Sequence, residues 1–177
     1  RRRHTRYISV TGVQTCALPI FTASSFLAYG NNLSVVRAIN INSNNAAANT
    51  SYQVPNSDQF QYFFLNNDNQ DLYGAYMARY PGTLGNSLSV EVCDNATDFA
   101  TWSKKSYFTS APGTSEFAAS VGGSDDEMHV VVIDTDGKFT GASGTVLETF
   151  AFLSKAADAS LNGSSNYYKQ VIFNQSN

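Results

Sequence analysis

The chain has 177 residues, of which 14% are charged, and a formal net charge of −3. This length is sufficient for one domain with a hydrophobic core, and no apolar run approaches the roughly 20 residues that a membrane-spanning helix needs. Acidic residues outnumber basic ones, fourteen to eleven, which argues against a nucleic-acid partner bound through a basic surface.

Residues 1–20 match the translation of a synthetic oligonucleotide. Val10–Ile20 corresponds to part of an index-bearing adapter used in short-read sequencing, and Arg1–Arg6 corresponds to the primer end upstream of the index. A targeting peptide is the alternative, but the apolar stretch Cys16–Phe21 is too short for a signal peptide and contains a proline. We therefore expect residues 1–20 to be adapter-derived rather than native.

Removing this segment changes the charge and the cysteine count. Four arginines are lost, which leaves seven basic and fourteen acidic residues, a net charge of −7 for Phe21–Asn177. The basic cluster that would favour nucleic acid or an anionic membrane disappears. Cys93 is then the only cysteine, so no intrachain disulfide is expected and a reducing compartment is favoured.

The first half of the chain predicts short elements. In chain order these are a helix stopped by Gly30, an alternating strand, an Asn/Ala/Ser-rich loop and a buried aromatic strand: Ser24–Tyr29, Leu33–Ile41, Asn42–Thr50 and Phe60–Leu65. Asp71–Arg79 is compatible with a helical turn or an extended segment.

A Pro/Gly-rich corner (Pro81–Asn86) is the most specific local pattern. Pro81 fixes φ, Gly82 and Gly85 permit positive φ, and Asn86 tolerates the left-handed region, so a sharp reversal is expected. The alternating run Leu88–Val92 that follows predicts a strand.

The second half predicts a hairpin and a terminal helix. Met128–Ile133 and Phe139 flank a turn expected to close at Asp136-Gly137, and Val146–Leu153 predicts a further strand. The remaining segments are a turn-rich stretch, a loop, and a helix capped by Ser165 or Asn166: Asp94–Thr114, Gly163–Asn166 and Tyr167–Gln175. The expected fold class is α+β, with a mixed or antiparallel sheet and a few short helices.

Residues with catalytic or ligand-binding chemistry are few. After the adapter segment is removed, His129 is the only histidine, and it and Cys93 are the only candidates for nucleophilic catalysis. Asp134-x-Asp136-Gly137 resembles the start of a calcium loop, but position twelve is Thr145 rather than Glu. Asp125–Glu127 is interpreted as a solvated acidic loop. No catalytic, cofactor-binding or metal-binding residue is predicted.

Four blocks, in this order and spacing, resemble the tail sheath protein of contractile-tailed bacteriophages of the myovirus type. The blocks are a helix-to-strand passage, the corner with its strand, a strand–hairpin–strand succession, and an Asn-Tyr-Tyr helix start: Phe26–Ala38, Ala78–Val92, His129–Asp158 and Ser165–Phe173. The resemblance covers most of Phe21–Asn177.

The resemblance implies a structural protein without a cofactor. The implied partners are other sheath subunits, the tail tube protein, and the baseplate and tail terminator proteins, and the implied location is the virion tail sheath, assembled in the bacterial host cytoplasm. Residues 21–177 would be a partial, truncated sheath-type domain in which about 42–72 form a shortened variable insertion. As an internal fragment, the chain is expected not to polymerise alone.

The sequence is also compatible with two other functions. A sheath-like subunit of a bacterial contractile injection particle, such as a tailocin, belongs to the same structural class. A β-rich surface or glycan-binding module is suggested by the abundance of Tyr, Asn and Ser, and it would require exposed aromatic side chains such as Trp102 and Tyr107.

Overall fold

The structure of the chain is a computed structural model that describes residues 17–34, 39–62 and 74–177. The chain forms two compact units, residues 1–38 and 39–177. In the first unit, helix α1 covers Ala17–Leu27. The predicted helix Ser24–Tyr29 is therefore the end of a longer one. Gly30 donates its N–H to the Phe26 carbonyl (3.0 Å) without adopting a positive φ.

The second unit contains seven strands and four α-helices among its described residues. The strands are β1 Asn45–Ala47, β2 Met77–Pro81, β3 Leu88–Cys93, β4 Glu127–Asp134, β5 Thr145–Ser154, β6 Ser160–Leu161 and β7 Ser164–Ser165. The helices are α2 Ser57–Phe60, α3 Ala96–Thr101, α4 Glu116–Ser120 and α5 Tyr168–Gln175, and 3-10 turns cover Thr83–Ser87 and Lys105–Tyr107. Within the described ranges, no helix is both long and apolar enough to cross a membrane.

The main sheet is antiparallel, with the strand order β3–β4–β5. Two smaller antiparallel pairs, β1–β2 and β6–β7, accompany it. Together with the short helices, these sheets confirm the predicted α+β class.

The core lies where α5 packs on the main sheet. Its buried members are Met128, Val130, Phe150, Leu153 and Val171, with Tyr76, Val90, Val132, Tyr168 and Ile172 packed around them. Burial of each large apolar side chain contributes roughly 1.5–3 kcal/mol. The central strand β4 is covered on both faces, because neighbouring Val130 and Val131 point to opposite sides and both are fully buried.

Three predictions for the first half need correction. At Leu33–Ile41, residues 33–34 and 39–41 form no strand, and residues 35–38 lie outside the described residues. The predicted loop Asn42–Thr50 contains β1, and the first residue of this strand, Asn45, is buried. At Phe60–Leu65, Phe60 ends α2, whose first turn is capped by Asn56, and residues 63–65 lie outside the described residues. Asp71–Arg79 was compatible with a helical turn or an extended segment. Its residues 77–79 are extended in β2, and residues 71–73 lie outside the described residues.

The second-half elements exist but their connections differ. β4 and β5 form a hairpin, but the strand ends at Asp134 and resumes at Thr145, so closure at Asp136-Gly137 with a strand at Phe139 is wrong. Gly163–Asn166 is not simply a loop, because it contains β7. Helix α5 starts at Tyr168 without a side-chain cap, so neither Ser165 nor Asn166 serves as one.

The turn-rich stretch Asp94–Thr114 also contains α3. Asn95 caps this helix by accepting a hydrogen bond from the Asp98 N–H (2.8 Å).

Gly85 is expected to be required by space rather than by backbone conformation. A Cβ at this position would lie 2.9 Å from the Ala78 Cβ and 3.1 Å from the Ala46 Cβ. Gly85→Ala should therefore lower the free energy of unfolding by about 1–3 kcal/mol, as overpacking does. Urea denaturation measures this change.

Gly113→Ala is the matched control, since only the Glu127 carboxylate lies within contact distance, at 3.9 Å. It should change stability by less than about 0.5 kcal/mol. Equal effects of the two substitutions would contradict the packing argument.

Candidate functional site

The corner connects β2 to β3 through a 3-10 turn. Pro81 is buried as the last residue of β2, and Gly82 adopts a φ of +124° while donating its N–H to the Asn44 carbonyl (2.9 Å). Gly85 is buried and Asn86 is exposed, and neither has a positive φ. The expectation of a positive φ therefore holds at Gly82 only.

Asn45 fixes the corner from the β1 side. Its side chain is 1% exposed and donates to the carbonyls of Ala78 (2.9 Å) and Arg79 (3.1 Å). Its Oδ1 accepts the N–H of Val54 (2.7 Å). One buried amide thereby joins β1, β2 and the segment after β1, at a position where the sequence predicted a loop.

Ser87 and Asp134 join the corner to the β4–β5 loop. Both are fully buried, and Ser87 Oγ donates to Asp134 Oδ1 at 2.5 Å. The Ser87 carbonyl accepts the Thr135 N–H (2.7 Å), and its Oγ accepts the Asp136 N–H (3.2 Å). Ser87 was not among the predicted residues, and Asp134 was considered only as the start of a calcium-like loop; together they join the two predicted turn motifs.

The Asp134 carboxylate also organises the loop that follows it. Its oxygens accept the N–H groups of Lys138 (3.0 Å), Phe139 (2.9 Å) and Thr140 (2.9 Å). Because a side chain takes these N–H groups, residues 138–140 are unavailable to a strand ladder, which explains why the tight hairpin does not form.

Gly137 and Asp136 have different positions in this loop. Gly137 has a φ of +74°, and a Cβ there would lie 2.8 Å from the Ser143 nitrogen. Asp136 is half-exposed and pairs with Lys138 at 3.4 Å, a surface ion pair worth little. The described residues contain no group of three or more His, Cys, Asp or Glu side chains placed to hold a metal ion.

Hydrogen bonding controls the ionisation of Asp134. Loss of water raises the pKa of Asp134, but the hydrogen bonds from Ser87, Thr140 and Phe139 outweigh this effect and lower the pKa to about 2. The carboxylate is therefore ionised at neutral pH and acts as an acceptor for surrounding donors.

Asp126 forms a second buried junction, in place of the solvated loop predicted for Asp125–Glu127. Its carboxylate accepts the N–H and Oγ–H of Ser115 (both 2.8 Å) and the Oγ–H of Ser154. Ser115 in turn caps α4. Burial raises the pKa of Asp126, but the bonds from Ser154 and Ser115 outweigh it, and the net shift is downward.

His129 is held in one tautomer. It is fully buried, its Nδ1 accepts the N–H of Phe152 (3.1 Å), and its Nε2 lies 2.9 Å from the Ser110 carbonyl. Because Nδ1 accepts a backbone proton, Nε2 is the protonated nitrogen. Both nitrogens are therefore occupied in structural hydrogen bonds.

Cys93 lies opposite His129 in the β3–β4 register and is 3% exposed. Its thiol donates to the Asn95 carbonyl (3.5 Å). Burial raises the pKa of Cys93, and the nearby Asp98 and Asp94 add to this shift against the lowering effect of the Asn95 bond. The register thus brings the two candidate nucleophilic residues together, but it leaves the cysteine protonated and the histidine engaged.

Trp102 belongs to an aromatic cluster around His129. The Trp102 ring stacks on Phe108 at 5.4 Å, and Phe108 stacks on His129 at 4.2 Å. The Nε1–H of Trp102 donates to the Glu91 carboxylate (2.8 Å). Trp102 is consequently half-buried and bonded, whereas Tyr107 is 55% exposed. Of the two aromatic residues named for a glycan-binding surface, only Tyr107 is exposed.

The chain is similar to a curated protein named Tail sheath protein from Salmonella phage ViI. The two are 39% identical over 71 residues, which is 40% of this chain and 9% of that protein. Part of this chain is homologous to a phage tail sheath protein. The match therefore spans about a tenth of the relative's length. No protein-family model matches the chain, and no solved structure matches it.

The buried Asp134 carboxylate is expected to make stability depend on acid pH. An aspartate in an unfolded chain has a pKa of about 3.9, and folding lowers the pKa of Asp134 to about 2. Asp134 thus contributes stability that is complete above the unfolded pKa and is lost as pH falls through the folded pKa. Urea denaturation of the wild type and of Asp134→Asn at a series of pH values measures this contribution.

The Asp134→Asn chain should be less stable at neutral pH and should lose less of its stability on acidification. Asp126 adds a loss of the same sign in both proteins, so the difference between their profiles reports Asp134. Asp136→Asn should change stability at neutral pH by less than about 0.5 kcal/mol. Parallel profiles of the wild type and Asp134→Asn would contradict the assignment.

Trp102, the only tryptophan, reports on the aromatic cluster. Acrylamide should quench its fluorescence less in the folded chain than in urea, because Phe108 and Glu91 cover part of the ring. Phe108→Ala should increase quenching, whereas Tyr107→Ala should leave it unchanged. Full quenching in the native chain would favour an exposed binding surface.

Proposed function

We propose that this chain is part of a structural subunit of a contractile phage tail sheath. This proposal rests on the 39% identity over 71 residues with the Salmonella phage protein. In this role the subunit polymerises with other sheath subunits around a tail tube, between the baseplate and the tail terminator, and contraction drives the tube through the host envelope.

A structural role agrees with the use of the buried polar residues. Asp126, His129 and Asp134 each have their acceptors or donors engaged by neighbouring groups of the same chain. Such groups fix loops against strands. We therefore propose that the protein is not an enzyme and needs no cofactor.

The sheath-like subunit of a bacterial injection particle remains the alternative within this class. It would use the same fold and the same polymer contacts, and it differs in the particle rather than in the subunit. The two possibilities are distinguished by whether the particle that contains the subunit also carries a capsid.

Immunogold electron microscopy tests both possibilities. An antibody raised against the purified chain should label the tail, along the length between baseplate and capsid, of phage particles from a culture that carries the gene. Antibody pre-absorbed with the purified chain is the control. Labelling of capsids, of tail fibres or of no particle at all would contradict the sheath assignment, and labelling of tails without capsids would favour the injection particle.

We also propose that residues 1–20 are adapter-derived and that residues 42–72 are a shortened insertion of a sheath-type domain. The first of these proposals can be tested on the genomic sequence. If the chain is an internal part of a sheath protein, the genomic sequence upstream of Phe21 and downstream of Asn177 continues the same reading frame. We also propose that the purified chain does not polymerise by itself, and regular tubes in electron micrographs would overturn this.

A further inference from the structure

The β6–β7 connection is a two-residue turn with an uncommon backbone. Asn162 and Gly163 have φ values of +52° and +78°, and both are exposed. The strands they join are two residues long, with Ser160 opposite Ser165 and Leu161 opposite Ser164. Positive φ at both positions is the type I′ arrangement, for which Asn-Gly is the preferred sequence.

We propose that Asn162 is a site of spontaneous deamidation. The residue after it has no side chain to shield its backbone nitrogen, so the requirement for glycine in this turn also leaves the asparagine amide open to attack. Asparagine is among the residues depleted in thermostable proteins because it is chemically labile.

The reaction is intramolecular and needs only water. The Gly163 nitrogen attacks the Asn162 Cγ, an N–Cγ bond forms, the Cγ–Nδ2 bond breaks, and ammonia leaves with the proton lost from the Gly163 amide. Water then adds to one of the two carbonyls of the resulting succinimide and opens a C–N bond. The product is aspartate or isoaspartate at position 162.

The surroundings of the turn leave room for this rearrangement. Among the described residues other than Gly163 and its two chain neighbours, no heavy atom lies within 4 Å of the position that a Cβ would take at Gly163. A two-residue ladder is marginal by itself, so the hairpin opens at low cost. The other asparagine in a predicted turn, Asn86, is followed by Ser87, which is fully buried, so the nitrogen after Asn86 has less room to move.

Asn166, four residues further on, provides an internal comparison. Its Nδ2 donates to the Phe152 carbonyl (2.9 Å), its N–H donates to Ala159 (2.9 Å), and its carbonyl accepts the Ser154 N–H (2.9 Å). Both its amide and its backbone are therefore fixed, and it should resist the reaction that Asn162 undergoes.

Modification would alter one wall of a pocket. This is an open pocket of about 290 Å³ between β5, the β6–β7 hairpin and α5, and it is lined by Phe150, Leu161, Ser164 and Val171 among others. Deamidation adds a negative charge beside this wall, and isoaspartate adds a methylene to the backbone of the turn. The register of Leu161 with Ser164 would then have to change.

Peptide mapping by mass spectrometry tests the proposal on the full chain. The chain is incubated folded at mildly alkaline pH, and tryptic cleavage after Lys155 and Lys169 releases one peptide that contains both asparagines. Asn162 should deamidate at a rate within about tenfold of that in the isolated peptide, since opening a frayed hairpin costs little. Asn166 should remain an amide over the same time.

Asn162→Asp is the control, because Asp-Gly supports the same turn but has no amide to lose. The mass gain should disappear from this peptide in the variant. A native rate slower than the tenfold limit, reaction at Asn166 before Asn162, or persistence of the mass gain in the variant would each overturn the proposal.

Discussion

The hydrogen bond between Ser87 and Asp134 links two turns that are far apart in sequence. Ser87 ends the 3-10 turn of the corner and Asp134 ends β4, and both are fully buried. If either side chain were removed, its partner would remain buried without that bond, and several loop N–H groups would lose an acceptor. The corner therefore depends on the loop, and the loop depends on the corner.

The same arrangement recurs along β4. Asp126 precedes the strand and joins Ser115 to Ser154, His129 lies within it and joins Ser110 to Phe152, and Asp134 ends it. Apolar residues such as Val130 fill the core, while these three polar residues fix the surrounding segments. The central strand thus supplies both the packing and the attachment points for the rest of the second unit.

Local patterns predicted the elements better than their connections. The alternation at Leu88–Val92, the apolar run at Met128–Ile133 and the stretch Val146–Leu153 all lie in strands, because alternation or a run of β-branched residues is visible within a single segment. The Asp134 loop was not predictable from its own residues, since its conformation depends on Ser87, 47 positions earlier. Asn45 was missed for a similar reason, because an Asn-rich segment does not reveal that one amide is buried.

Buried polar junctions of this kind limit how far the second unit can rearrange internally. Separating Asp134 or Asp126 from its donors would leave a charged group buried without partners, which is costly. The exposed ion pairs Asp136–Lys138 and Asp94–Lys155 carry no such cost, because water solvates their charges after separation. It follows that the second unit resists internal rearrangement around β4, and that the corner and the loop after Asp134 keep their positions relative to each other.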